Sequence, residues 1–337
     1  MQPLCRDEQL GAINIRHVGV VIIGRNEGKR LADCISSVEP MLMSTIYVDS
    51  GSTDGSVAFA SNQVASVVQL DLSVPFTAAR ARNAGAWELM RLRPDLEFIQ
   101  FVDGDCMLDP DWVTQAAAFM AQRTDVAIVF GRRRERYPDR SVYNLMCDGE
   151  WNTPAGESFE CGGDSLVRVE AFCSAGGFRS SLVAGEEPEL CVRLREKGWK
   201  IWRLSAEMTL HDANILYFWQ WWVRNVRAGH AFAEVSRLHA SSKFGIWKRK
   251  LLRSVSWTLL PVAAIIASVS LNKGFLLLLI LLPLQVARLA ARAPASEPQR
   301  WISATFNVVG KFAECQGVLR FYKNLWLGKQ QTIIEYK

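Results

Sequence analysis

The chain has 337 residues, 49% of them apolar, and a formal net charge of +5. That length exceeds one typical domain and falls short of three, and so small a basic excess argues against nucleic-acid binding. The apolar residues are unevenly spread: residues 1–240 read as a mixed globular sequence, whereas 251–291 are dense in Leu, Ile, Val and Ala.

Met1 to Arg16 is polar and lacks the apolar core of a signal peptide, which predicts that the globular part stays in the cytosol. The eight cysteines form no C-x-x-C pair and no zinc-like spacing with His. Several stand in apolar runs, where Cys acts as a small buried hydrophobe, and a reducing compartment fits this usage.

Val18 to Ile23 is a continuous apolar run ending at Gly24-Arg25-Asn26-Glu27-Gly28, the pattern of a buried parallel strand entering a loop. A helix is predicted through Leu31, Cys34, Ile35 and Val38, closed by Pro40. Thr45 to Val48 reads as a second strand ending at Asp49, followed by the polar loop Gly51-Ser52-Thr53-Asp54-Gly55 and a short helix to about Ala60. Val64 to Leu70 reads as a third strand, Thr77 to Leu92 as a helix, and Phe98 to Val102 as a fourth strand that delivers Asp103-Gly104-Asp105. Strands alternating with helices predict a parallel α/β sheet, in which ligands bind beyond the carboxyl ends of the strands. Right-handed crossovers bring loops 24–28, 49–55 and 103–105 to one sheet edge.

Asp103 and Asp105 set two carboxylates two residues apart at a strand end. Hard cations such as Mg²⁺ and Mn²⁺ prefer oxygen ligands and bridge to phosphate. Taken alone, such a triplet also occurs in ordinary turns. Its context is more specific. Val20-Val21-Ile22-Ile23 with Asn26-Glu27, Val48-Asp49-Ser50-Gly51-Ser52-Thr53-Asp54-Gly55, Ala81-Arg82-Asn83-Ala84-Gly85 and Val102-Asp103-Gly104-Asp105 follow one another in order. Gly176-Gly177-Phe178 and Gly185-Glu186-Glu187-Pro188-Glu189-Leu190 continue the series, with Arg193-Leu194 and Gly198-Trp199 after them. The set resembles the family 2 glycosyltransferases of GT-A fold, over about residues 18–240.

The resemblance implies an α/β, Rossmann-like nucleotide-sugar-binding domain in 1–240. Asn26, Glu27 and Asp49 would line the base and ribose pocket, and Arg80 and Arg82 would organise the nucleotide side. Asp103 would lie by the ribose and the metal, Asp105 would be the main ligand of a Mg²⁺ or Mn²⁺ ion, and His211 would join them. Glu187 matches the position of the acceptor's general base. Pro188 and the acidic residues also suit a helix start on their own account. Many relatives carry Asp at the position of Glu187, and Glu reaches about one bond further, so Glu186 stays open as the alternative. Cys161-Gly162-Gly163-Asp164 matches a small-residue stretch beside the donor sugar and acceptor, where Gly permits close backbone approach; a plain turn would read the same way. Trp151 fits core packing better than stacking on a sugar. No Q-x-x-R-W motif, the mark of processive members, follows the acidic pair, so one sugar is expected per acceptor.

Ile215, Trp219, Trp222 and Val226 fall on one helical face, either of a helix at lipid headgroups or of a core helix. Residues 241–293 hold a basic segment and two apolar runs, Val255 to Leu271 and Gly274 to Ala287, with a turn at Asn272-Lys273-Gly274. Each run is short against the ~20 residues of an upright span, so two spans, a re-entrant hairpin and a buried soluble hairpin are all compatible. Lys248, Arg249, Lys250 and Arg253 before the pair, and Arg288, Arg292 and Arg300 after it, place both ends on the cytoplasmic side of a cell membrane. Residues 294–337 are expected to form an amphipathic helix and a tail. The expected activity is inverting, metal-dependent transfer of a single hexose-type sugar to a membrane-proximal glycan or lipid-linked acceptor. The donor is a nucleotide sugar, UDP-linked by the resemblance. The rivals are a catalytically silent nucleotide-sugar-binding scaffold and a nucleotidyltransferase. The latter would carry a Gly-rich loop with Lys or Arg after the first strand, which Gly24 to Gly28 fits poorly.

Overall fold

The computed structural model describes residues 15–294, 299–329 and 331. The segment read as lacking a signal peptide lies mostly outside them, as does the end of the tail. Two compact units are present: Met1–Pro138 with Cys147–Ser181 and Glu186–Ala213, and Asp139–Met146 with Leu182–Gly185 and Asn214–Lys337.

The first unit is built on a sheet. Strand β1 (Val18–Gly24) pairs in parallel with β2 (Thr45–Asp49) and β4 (Phe98–Asp103), and β2 pairs in parallel with β3 (Ser66–Gln69). Helices α1 (Lys29–Ser37), α2 (Ser56–Ser61) and α3 (Ala78–Leu92) make the connections. The run from Val18 to Ile23 is buried throughout, as expected of a parallel strand covered on both faces. Helix α3 sits close against it: a Cβ on Gly85 would lie 2.4 Å from Val21 Cγ1. These elements follow the sequence reading closely, though β3 is shorter than the apolar run from 64 to 70.

Beyond β4 the sheet is mixed rather than parallel. The remaining elements are β5 (Cys106–Leu108), α4 (Trp112–Gln122), β6 (Val126–Glu135), α5 (Val142–Trp151), β7 (Gly156–Ser158), β8 (Ser165–Arg168), α6 (Val169–Ala175), α7 (Glu186–Glu196) and β9 (Lys200–His211). The order is β3-β2-β1-β4-β8-β6-β9-β5, with β7 added on β9. Strand β8 runs antiparallel to both β4 and β6, and β9 runs parallel to β6. Because Ser165 opposes Phe101, β8 starts at the edge where β4 ends. That edge therefore collects the carboxyl ends of β1, β2, β4, β6 and β9 and the amino end of β8.

The second unit is helical: α8 (Phe218–Leu238), α9 (Lys248–Ser270), α10 (Leu281–Arg292) and α11 (Arg300–Trp326), with a 3-10 segment over Lys273–Ile280. Asn272 caps the turn, its Oδ1 accepting from Gly274 N at 2.7 Å. Helices α8 and α11 cross at backbone contact. A Cβ on Gly229 would lie 1.8 Å from the Glu314 carbonyl oxygen, and one on Gly317 would lie 1.9 Å from that of Val226. The expected Ile215-Trp219-Trp222-Val226 face packs in part: Ile215 and Val226 are buried, and Trp222 packs beside Val226 and donates to Gln316 Oε1 of α11 at 2.8 Å. Ile215 precedes α8 and Trp219 is exposed, while Trp221, Val226, Gly229, His230 and Ala233 are buried. Small residues at the crossing let α8 approach α11 this closely, and Trp221 and Trp222 flank it against Phe306 and Gln316.

Candidate active site

Asp103 ends β4, and Gly104 carries the chain past the first loop so tightly that a Cβ there would lie 3.1 Å from the Ile23 carbonyl oxygen. Two register pairs then bring distant residues to Asp105. His211 opposes Cys106 across β5–β9 and Glu135 across β6–β9. Its Nε2 lies 3.4 Å from Asp105 Oδ2, and its Nδ1 lies 3.8 Å from Glu135 Oε2. His211 Nδ1 is buried with no hydrogen-bond partner. The fully buried Glu135 carboxylate accepts from Tyr137 N at 3.0 Å and Ala213 N at 2.9 Å. Trp151 stands edge-on to the His211 ring at 4.9 Å and beneath the Arg133 guanidinium at 5.1 Å, and is half-buried.

Arg82 joins this group to α7. Thr77 caps α3, accepting from Arg80 N at 3.0 Å, and the helical period then places Arg82 on the buried stripe with Ala79, Ala86 and Leu89. A guanidinium there needs anionic partners, since burying an unpaired charge is costly. It has three: Asp103 at 2.7 Å, and Glu186 and Glu187 at 2.8 Å each. Burial alone would lower the Arg82 pKa, but Glu187, Asp103 and Glu186 hold it above its ordinary value. Burial acts in the opposite sense on Asp103, where Arg82 and Arg133 outweigh it and keep the carboxyl below the usual range. Glu187 goes the other way. Burial, then the charge of Glu186, push it up to about 7 despite Arg82. Glu189, the third acidic residue of this turn, points elsewhere, pairing with Arg193 at 2.7 Å and Arg179 at 3.1 Å.

Two members of the cluster were given no role of their own from sequence. Asp164, buried just before β8, accepts from Asp103 N at 3.0 Å and Thr209 Oγ1 at 2.8 Å, tying β4, β8 and β9 together. Arg133 at the end of β6 reaches Asp103 at 3.1 Å and Asp164 at 3.3 Å. The available signal was the triple Arg132-Arg133-Arg134 breaking an apolar strand. Gly163 permits the close approach considered for it: a Cβ there would lie 2.4 Å from Arg82 Nη2 and 2.9 Å from Asp103 Oδ2.

The first two loops hold each other. Asn26, at φ 55°, accepts from Thr53 N at 2.7 Å, and its own N donates to Ser52 Oγ at 2.8 Å. Asp49 Oδ2 accepts from Gly51 N and Ser52 N, both at 2.8 Å, and its Oδ1 accepts from Tyr47 OH at 3.1 Å. Glu27 pairs with Arg30 at 2.7 Å. Arg80 is not brought to the acidic cluster. Its guanidinium donates to the carbonyls of Asp71, Val74 and Pro75, holding the loop before α3.

Across the cluster, Arg82 and Arg133 face Asp103, Asp105, Asp164, Glu186 and Glu187, so carboxylates outnumber guanidiniums. A divalent cation would offset that excess. Ligand atoms of Asp105, Cys106 and His211 lie within 4.8 Å of one another, as do those of Asp103, Cys106 and Asp164. Burial pushes the Cys106 thiol well above its ordinary range and so keeps it neutral, which leaves carboxylate and imidazole as the donors. Arg133 occupies Asp103 and Asp164, so Asp105 with His211 forms the better cradle. Oxygen-led donors of this kind fit Mg²⁺ or Mn²⁺.

Comparison with known proteins places this geometry. Residues 19–183 match the family model described as glycosyl transferase family 2. The fold is similar to that of the mannosyltransferase PcManGT from Pyrobaculum calidifontis, solved with GDP-Man and Mn²⁺. The TM-score is 0.60 at 18% identity, over 93% of this chain and 88% of that one. It is also similar to TarS of S. aureus, with a TM-score of 0.50 at 14% identity, over 88% of this chain and 49% of that one. No curated protein sequence matches the chain significantly.

Proposed function

Residues 19–183 make this chain a glycosyl transferase family 2 enzyme of GT-A fold, and from that premise we propose that it transfers one sugar, with inversion, from a nucleotide-sugar donor to a membrane-proximal or lipid-linked acceptor. The observation that carries this reading is the Arg82 hub, which links the metal-side carboxylate Asp103 to the acidic pair of α7. A scaffold has no use for such a linkage.

In this reading the loops around Asn26, Glu27 and Asp49 receive the nucleoside, and Asp103 lies by the ribose. Asp105 and His211, with Asp103 beside them, would hold Mg²⁺ or Mn²⁺, which supplies positive charge to the departing diphosphate. Glu135 lies 3.8 Å from the far nitrogen of His211, with no hydrogen bond between them, and its charge would favour the orientation that turns Nε2 to Asp105, as an outer carboxylate does for an imidazole ligand. Arg80 acts indirectly, by fixing the loop that starts α3. Glu187 takes the proton of the acceptor hydroxyl as it attacks the anomeric carbon from the side opposite the diphosphate. Its carboxyl, raised to about 7, is matched to proton transfer near neutrality. Glu186 is the more deeply buried of the pair and serves to hold Arg82. UDP as the nucleotide follows from the family resemblance. The apolar helices α9 and α10 attach the enzyme to the cytoplasmic side of a cell membrane, beside a lipid-linked acceptor.

A panel of UDP-, GDP- and dTDP-sugars tests the reading. One donor should raise the thermal midpoint in the presence of Mn²⁺, and turnover should release the free nucleoside diphosphate with an inverted anomeric centre in the product. Release of pyrophosphate would make it a nucleotidyltransferase. Binding without any turnover would make it a scaffold, and a retained configuration would remove Glu187 as the base.

A further inference from the structure

The apolar hairpin of the second unit is inside out for a protein in water. On the side of α9 turned toward α11, Ser254 donates to the buried Glu314 carboxylate, and Thr258 Oγ1 donates to the Lys311 carbonyl at 3.1 Å. The open side carries Leu252, Leu259, Val262, Ile266 and Val269, which recur three, four or seven residues apart and share one face. Val269 is 83% exposed, and Leu277 in the return limb is 75% exposed. Only 11% and 6% of the most apolar stretches of the two limbs is buried, which excludes a buried soluble hairpin. An exposed apolar surface this extensive marks an interaction site.

We propose that this open face lies in the plane of one leaflet of an anionic bilayer and does not cross it. Only the first half of α9 is held by its neighbours: Ile265, on the same face as Ser254 and Thr258, is 52% exposed. The packed side is held at Ser254 and Thr258 against α11, where Lys311 and Glu314 form an ion pair at 2.6 Å. That pair belongs outside the hydrocarbon. Past Thr258, residues 259–270 add about 18 Å of helix, too little to cross a core of ~30 Å. The turn carries Asn272 and Lys273. A charge at the end of a limb that stops inside the core is costly, but in the plane of the leaflet it sits among headgroups.

Charge selects the occupant. Lys248, Arg249, Lys250, Arg253, Lys273, Arg288 and Arg292 are all exposed around the apolar face. No Asp or Glu occurs between Glu234 and Glu297. A second copy would bring like charges together, whereas anionic headgroups complement them. Trp219 and Trp301, both exposed, are of the type enriched at headgroup level.

The inference rests on the membrane attachment proposed above and not on the transfer chemistry. The full-length chain is mixed with preformed vesicles of phosphatidylcholine, with or without phosphatidylglycerol, and floated. Binding at least tenfold tighter to the anionic vesicles is expected, weakening with salt, and lost in Val262→Asp/Ile266→Asp with the protein still monodisperse. Absence of flotation, or a dimer that forms without lipid and ignores vesicles, overturns the attachment itself. In vesicle-bound Lys273→Cys, with Cys5 and Cys173 replaced by Ser, an impermeant maleimide added outside should label residue 273 without lysis. Labelling only after lysis means a spanning hairpin, and no labelling even then means a tip buried in hydrocarbon. Either result overturns the in-plane geometry while leaving attachment intact.

Discussion

The two units treat charge in opposite ways. In the sheet unit, residues such as Phe101, Ile22 and Trp112 are wholly buried, and charge gathers at one edge as a paired network around Arg82 and Arg133. In the helical unit, Leu, Val and Ile face outward on α9, while Ser254 and Glu314 lie inside. Water as solvent explains the first arrangement, and the proposed lipid partner would explain the second. The same residue type therefore has a different energetic meaning in each unit.

The sharpest test lies in the charged edge. Glu187→Gln keeps the size of the side chain but cannot accept a proton, and turnover should fall ~10²–10⁴-fold with donor binding little changed. The pH profile should agree. A base must be deprotonated to act, and burial with the Glu186 charge raises Glu187 to about 7. Activity should therefore fall about tenfold per pH unit below that value and level off above it, and Glu187→Gln should abolish the limb. A flat profile in the parent enzyme would place the base elsewhere.

Next in size is a matched pair of deletions. Phe101 is fully buried, with the rings of Phe178 at 5.3 Å and Phe172 at 5.8 Å. Phe101→Ala should cost about 3–5 kcal/mol in chemical denaturation. Ile266→Ala, on the open side of α9, should change stability in detergent by no more than about 0.5 kcal/mol. Equal losses would erase the contrast between the two units.

A smaller effect probes the inner edge of the cluster. Glu135→Gln should weaken Mn²⁺ binding about 10–100-fold, read from the electron paramagnetic resonance of free Mn²⁺. His211→Ala should weaken it as well. If His211→Ala leaves binding intact, the imidazole is not a ligand. If only Glu135→Gln does, the imidazole is a ligand that needs no orienting partner. Glu189→Gln should leave Mn²⁺ binding unchanged, because that carboxylate is spent on Arg193 and Arg179.

The sequence by itself determined the parallel half of the sheet. Runs such as Val18 to Ile23 and Phe98 to Val102 have only one low-energy environment, and their ends mark Asp49 and Asp103 as loop residues. Thr77 and the spacing of Arg82 with Ala86 and Leu89 likewise encode α3 locally. What tertiary structure decided was every pairing across long separations. The antiparallel insertion of β8 brings Asp164 to Asp103, the β6–β9 register sets Glu135 beside His211, and neither leaves a periodic trace because each rests on hydrogen bonds between distant strands. Arg80 and Arg82 stand two residues apart and looked alike in sequence. The helix turned one toward the loop carbonyls and the other toward the buried carboxylates. The inverted α9 was half legible. Its apolar face is written in the spacing, but only the packing of Ser254 and Thr258 on α11 revealed that the start of the other face was already taken, because a helix's surroundings are set by its neighbours and not by its own residues.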